Sequence, residues 1–339
     1  MRPALRGPLF GVVMAAAMIV AACGGPAATT SSGTPAASAS AAASGPRLGS
    51  FDRPIVLAFT PSQESSTIST NGAAIKAALE KATGLAWKVT PMTSYSAQVE
   101  AMGAGQVDVG FFAPLQMTLL LSKDYGTPVL AALRNDDTGK PSTSYKSQIL
   151  VRSDSGINDL NGLKGKKFAF VDTLSASGYV YPTLTIKNAT GQEPKTFFSS
   201  TTFAGSHPAA ALAVYNGQVD GAATFIDVRT QLVATNPDIM TKTKVITTAG
   251  PIPNDGVALR KGFPTDLGAK VTQALIDYGA SDAGKKVLQA LFQWDGMQKI
   301  DANFYDPMKD AAKLAGVDVE GLAKNTPKPA ATPSPSPTK

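Results

Sequence analysis

One cysteine and one histidine among 339 residues leave little from which to build a metal site, and no internal disulfide can form. No Walker-type phosphate loop, Gly-x-Ser-x-Gly elbow or metal-ligand spacing occurs, so no metal, no cofactor and no catalytic residue are expected. Aromatic residues make up 7% of the chain and nowhere interleave with a basic run, which leaves nucleic-acid binding without support. The apolar stretch 9–20 is too short to span a bilayer comfortably. Even the positive charge thins out. The formal +6 includes Arg2, Arg6, Arg47, Lys328 and Lys339, five cations outside the stretch that can fold, so +1 remains there.

Arg2 and Arg6 precede the apolar stretch, which ends at Val20-Ala21-Ala22-Cys23-Gly24, and residues 1–22 read as a secretory signal. Small residues before a lone cysteine resemble the lipobox of bacterial lipoproteins. That resemblance implies cleavage before Cys23 and lipid on its sulfur. Acyl chains contribute about 0.8 kcal/mol per buried CH₂, so a multiply acylated Cys23 would hold the protein on the outer face of the cytoplasmic membrane. Residues 23–50 are nearly all Ala, Ser, Thr, Gly and Pro, too poor in apolar surface to offset ordering, and read as a flexible tether. Residues 325–339 repeat Pro with Ser, Thr and Ala and read as a disordered tail.

Between these tails, strand-like runs at 55–59, 107–111, 148–151, 167–171 and 219–225 alternate with helical runs at 72–83, 179–188 and 207–215. Such alternation predicts an α/β protein with largely parallel sheets. Gly105-Gln106-Val107-Asp108 recurs as Gly217-Gln218-Val219-Asp220 at an offset of 112, which also carries Tyr95 onto His207. Ala58-Phe59 answers Ala169-Phe170 at 111, and Ala82-Thr83-Gly84 answers Ala189-Thr190-Gly191 at 107. Two copies of strand, loop, helix and strand predict two similar lobes with a cleft between them. Ligands bind off the carboxyl ends of strands and at helix starts, so the loops after Phe59 and Phe170 and the helix starts at Tyr95 and His207 should face that cleft.

The turn Ser175-Ala176-Ser177-Gly178 sits between a strand and a helix that begins near Pro182. Its hydroxyls and backbone N–H groups either cap that helix or cradle an oxyanion. His207, in Gly205-Ser206-His207-Pro208, offers a ring N–H at another helix start, and Tyr145 precedes the strand that opens the second lobe.

Over about residues 54–263 these motifs resemble the phosphate/phosphite/phosphonate substrate-binding proteins of bacterial ABC importers. The residues that carry the likeness include Ser94-Tyr95, Gly105 to Pro114, Tyr145, Ser175 to Tyr179, Gly205-Ser206-His207, Asn216 to Asp220 and Ile252-Pro253-Asn254-Asp255. The resemblance implies a two-lobed type II periplasmic-binding-protein fold with a ligand cleft between lobes made of residues 54–146 plus 251–324 and 147–250. It implies a ligand site of Tyr95, Tyr145, Ser175, Ala176, Ser177, Gly178, His207, Asp227 and Asp255. The partners implied are a small oxyanion and an ABC permease with its ATPase, and the protein is expected to work as a monomer. Ala176 replaces a threonine usual in the family, and Ala113 a common glycine. Losing one donor to an oxyanion costs roughly 1 to 3 kcal/mol unless another group replaces it, so Ala176 bears on ligand choice. An ionised Asp227 or Asp255 only accepts hydrogen bonds, which favours phosphite, phosphate or phosphonate monoanions over sulfate.

Three alternatives stand beside this reading: a serine hydrolase using Ser175, His207 and Asp255, a binding protein of the same fold for a sulfonate, nitrate or thiamine precursor, and a sensory or structural lipoprotein.

Overall fold

Short β-branched runs and amphipathic runs become strands and helices in a computed structural model that describes residues 46–136, 139–301, 303–319 and 321. Cys23, the signal segment, most of the tether and the Pro-rich tail lie outside the described residues. The first lobe opens with β1 (Ile55–Phe59), α1 (Ser65–Thr83), β2 (Trp87–Thr90) and α2 (Tyr95–Gly103). It continues with β3 (Val109–Phe112), α3 (Pro114–Ser122), β4 (Gly126–Asn135) and β5 (Pro141–Ser142). The second lobe comprises β6 (Ser144–Arg152), β7 (Lys167–Phe170), α4 (Tyr181–Thr190), α5 (Pro194–Phe197), β8 (Ser200–Phe203), α6 (His207–Tyr215), β9 (Gly221–Phe225), α7 (Ile239–Lys242) and β10 (Thr243–Pro253). The chain then returns with β11 (Gly256–Arg260), α8 (Thr265–Ala280), α9 (Asp282–Phe292), β12 (Gly296–Lys299) and α10 (Asp306–Leu314).

The repeat seen in the sequence is a repeat of hydrogen bonds. Asp108 accepts from the Val56 N–H at 2.9 Å, and Asp220 accepts from the Lys167 N–H at 2.8 Å, each carboxylate pinning the start of the equivalent strand, β1 in one lobe and β7 in the other. Gly105 and Gly217 both take φ of 70°, the left-handed region where a Cβ is strained, to turn the chain from helix to strand. Gly84 and Gly191 end α1 and α4 in the same conformation.

Sheet order repeats as well. Lobe 1 runs β2-β1-β3-β11-β4-β12, with β5 on β4, and lobe 2 runs β8-β7-β9-β6-β10. β1 pairs in parallel with β2 and β3, as β7 does with β8 and β9. The expectation of largely parallel sheets is nevertheless corrected. β11 lies antiparallel between β3 and β4, and β6 antiparallel between β9 and β10, because each enters straight after a crossing between lobes. Helix α1 also begins seven residues before the predicted 72, since Ser65-Ser66-Thr67-Ile68-Ser69-Thr70-Asn71 carries too little apolar periodicity to announce it.

Two edges of the lobes need correcting. Leu48, read as part of the tether, is buried in the lobe 1 core, and Gly49 forms backbone hydrogen bonds with Arg53 and Ala86. α10 does not belong to lobe 1 alone: it packs on α3 and also on β10 and the turn 176–180. Among the described residues, no helix is long and apolar enough to cross a membrane.

Candidate functional site

After β7 the chain makes one tight turn before α4, and the hydroxyl-rich residues form it. Asp172 accepts from the Leu174 N–H at 2.8 Å, and Ser175 Oγ accepts from the Gly178 N–H at 3.0 Å. Residues Ala176–Val180 then wind as a single π-type turn into α4. Gly178 has to be glycine here. A Cβ would sit 2.5 Å from Val171 Cβ and 2.8 Å from Ser175 Oγ, closer than atoms approach. Ser175 therefore does cap the turn, but only as an acceptor, which leaves its hydroxyl hydrogen free to donate. Ser177 is placed alike: its Oγ accepts from Tyr145 Oη at 3.3 Å.

Facing this turn is the loop after β1 and the start of α2. Ser94 and Ser206 cap α2 and α6 through the Ala97 and Ala209 N–H groups, so Tyr95 and His207 occupy the first helical position in each lobe. A buried amide pair holds the lobe 1 side. Gln116 Nε2 donates to the Tyr95 carbonyl at 2.8 Å, Gln98 Nε2 to the Phe111 carbonyl at 2.9 Å, and both amide oxygens lie within 2.9 Å of Thr60 Oγ1. The two lobes touch where the His207 N–H donates to the Ser62 carbonyl at 3.0 Å.

These elements enclose a cavity of about 20 Å³ between the lobes. Thr60, Ser62, Gln63, Tyr95 and Arg134 line it from lobe 1, with Asp255 and Trp294; Tyr145, Ser175, Ser177, His207 and Phe225 line it from lobe 2. The Tyr95 hydroxyl, Gln63 Nε2 and Arg134 Nε and Nη1 are buried there without a partner of normal hydrogen-bond geometry. His207 Nδ1 accepts from the Phe225 N–H at 3.2 Å, which leaves Nε2 as the ring's donor. Burial, reinforced by the Arg134 charge, lowers the His207 pKa to about 3, so the ring stays neutral at physiological pH. Burial also pushes the Tyr95 phenol well above its usual range, and the neighbouring Ser175 hydroxyl only partly opposes it. One carboxylate stands among these donors. Asp255 Oδ2 receives Arg134 Nη2 at 2.6 Å and Trp294 Nε1 at 3.3 Å, while Oδ1 has no partner among the described residues. Burial raises the Asp255 carboxyl, and Arg134 and Trp294 offset that only in part.

The family model described as "ABC transporter, phosphonate, periplasmic substrate-binding protein" matches residues 57–305. The chain belongs to that family. It is 34% identical over 182 residues to the "Phosphate-import protein PhnD" of Mycolicibacterium smegmatis, covering 52% of this chain and 56% of that one. It is 28% identical over 217 residues to the "Phosphonates-binding periplasmic protein" of Escherichia coli, covering 63% and 62%. The matched stretches thus span less than two thirds of these relatives. A binding-protein component of an ABC phosphonate transporter from Pseudomonas aeruginosa superposes with a TM-score of 0.69 at 22% identity, over 80% of this chain and 94% of that one. Fold and lobes are those of a type II periplasmic binding protein.

Within this phosphonate-family binding protein, six of the sequence-predicted side chains meet in the cavity: Tyr95, Tyr145, Ser175, Ser177, His207 and Asp255. Ala176 and Gly178 shape the turn and do not line it, and the Gly178 N–H is already committed to Ser175. Asp227 stands elsewhere. Burial alone would raise its carboxyl, but the fork of Arg229, at 2.5 Å and 2.9 Å, together with Gln148, holds it below the usual range in an adjoining groove that shares Arg134 and Tyr145 with the cavity. The hydrolase residues share the cavity without forming a relay, because Asp255 bonds Arg134 instead of His207 and the histidine's Nδ1 is an acceptor. Sequence reasoning missed Gln63, Arg134 and Trp294. For Arg134 the one signal was a charge at the end of the apolar run 129–133, beside the first crossing between lobes.

Proposed function

We propose that this protein captures a small phosphorus oxyanion between its lobes and delivers it to the permease and ATPase of an ABC importer. The observation that carries this reading is the wall of the cavity, where side-chain donors of Gln63, Tyr95 and Arg134 are buried without a partner beside one carboxylate, Asp255, whose Oδ1 has none among the described residues. Ser175, Ser177 and His207 add donors. Such a wall suits a tetrahedral anion that keeps one protonated oxygen, since Asp255 Oδ1 can only accept. Sulfate, which carries no proton at neutral pH, would leave two negative oxygens in contact.

The ligand set follows from that chemistry together with the names of the two relatives, one a phosphate importer and one a phosphonate binder. The cavity is small and ringed by close-packed side chains, which favours phosphate, phosphite and methylphosphonate over a sulfonate with a long chain or a thiamine precursor. The missing relay supports a carrier that returns its ligand unchanged. Lipid on Cys23 would keep a monomeric carrier beside its permease on the extracytoplasmic side, with the tether giving it reach.

Calorimetric titration with phosphate, phosphite, methylphosphonate, a larger aminophosphonate and sulfate is the test. The expected order places the three small phosphorus anions first and sulfate last. Sulfate binding more tightly than all of them, or hydrolysis products appearing in the ³¹P spectrum of the recovered ligand, would contradict the proposal.

A further inference from the structure

Two buried arginines, Arg134 and Arg229, and a half-buried one, Arg260, can be compared within this one chain. Arg229 is saturated: Nε and Nη2 grip Asp227, and Nη1 donates to the Thr243 carbonyl at 2.8 Å. Arg260 holds Asp108 through Nε at 2.6 Å and the Lys261 carbonyl through Nη1 at 3.1 Å. Arg134 is not saturated. It meets Asp255 through Nη2 alone, and its Nε and Nη1 are buried without a partner.

A guanidinium that served only to neutralise Asp255 would adopt the two-pronged geometry that carboxylates favour, or spend its remaining hydrogens on backbone carbonyls, because a buried unpaired donor is costly. Arg134 instead sits over two aromatic rings, its Cζ 4.5 Å from the Tyr145 ring centroid and 5.4 Å from that of Phe225. Rings offer no lone pair to Nε–H and Nη1–H, which leaves both for an oxygen acceptor. Among the described residues it is the one cation lining the cavity.

We propose that Arg134 is a direct ligand of the oxyanion through Nε–H and Nη1–H, and that beside Asp255 it forms a paired reader of one ionised and one protonated oxygen. The local fold sets the pair. Gly256 opposes Ala131 where β11 lies along β4, which brings Asp255, the residue before β11, level with the last turns of β4 where Arg134 stands. Lobe 1 thus presents charge and proton acceptor together, while lobe 2 presents neutral donors.

This inference rests on the proposed oxyanion function, and a double-mutant cycle separates the two. Arg134→Met, Asp255→Asn and the charge-balanced double variant are titrated with phosphate, phosphite, methylphosphonate and sulfate, with circular-dichroism melts to confirm folding. Within the Asp255→Asn background, Arg134→Met should weaken phosphorus-anion binding by about 10- to 100-fold, the size expected for charge-assisted hydrogen bonds. Asp255→Asn alone should admit sulfate, and the double variant should lose it again. Arg134→Gln in the same background keeps a polar side chain without the charge if the methionine variant fails to fold, with the same expected loss. A loss below about tenfold in a folded double variant means that Arg134 merely neutralises Asp255 and overturns the inference. Wild-type protein that binds none of the phosphorus anions overturns the function and the inference together.

Discussion

Tyr95 buries a hydroxyl without a partner of normal hydrogen-bond geometry, so the free protein bears a cost that a ligand oxygen would relieve. Tyr95→Phe should therefore leave the melting temperature of ligand-free protein unchanged or higher, yet weaken anion binding by about tenfold or more. Calorimetry and thermal melts on the same sample check both halves. His207→Ala should weaken binding from the other lobe, and no histidine inflection is expected between pH 5 and 8 because its pKa lies at about 3. Asp172, at the foot of the hydroxyl turn, is pushed up from an ordinary 3.8 to about 6, by burial first, against the Leu174 N–H. A carboxyl raised by folding is easier to protonate in the folded state, so its stability is present below pH 4 and is lost as pH rises to about 6. Asp172→Asn should therefore be more stable than wild type at pH 8, by of order 2 kcal/mol, with the gap closing toward pH 4 in urea titrations. At this scale the sequence disclosed residues sitting in named turns and helix starts, such as Ser175 and His207. Arg134 stayed hidden because its role depends on Asp255, 121 positions away, and Asp227 misled because its partner Arg229 lies two residues on in a turn that only the fold creates.

Helix starts and strand starts repeat almost atom for atom, which is why a four-residue repeat was enough to find both lobes. The two copies are unequal in energy, however. Asp108 is buried and also holds Arg260, whereas Asp220 pins its strand at an exposed position. Asp108→Ala should cost about 2 to 4 kcal/mol and Asp220→Ala about 1 kcal/mol in denaturant unfolding. A like cost at both sites would mean that the Arg260 contact contributes nothing. What periodicity could not reveal is strand direction. A buried strand reads alike whichever way its neighbours run, and β6 and β11 gain their antiparallel partners only through the crossings between lobes.

As a whole, the molecule is closed over its cavity, with Gln293 at the end of α9 reaching Thr230 Oγ1 at 2.7 Å across the groove. A ligand that binds only the closed form should stabilise it by about 2.7 kcal/mol at a concentration 100 times its dissociation constant. Gln293→Ala removes a contact between lobes made by a side chain that does not line the cavity, so it should weaken every ligand by the same small factor and leave their order unchanged. Titration of the same anion panel tests this.

The seat of β11 has a temporal consequence. Lobe 2 is complete once residue 253 has been made, but the strand that joins β3 to β4 in the middle of the lobe 1 sheet is still to come. A chain growing from its amino end therefore finishes its second half before its first. Until β11 arrives, β3 and β4 hold open edges able to pair with a neighbouring chain.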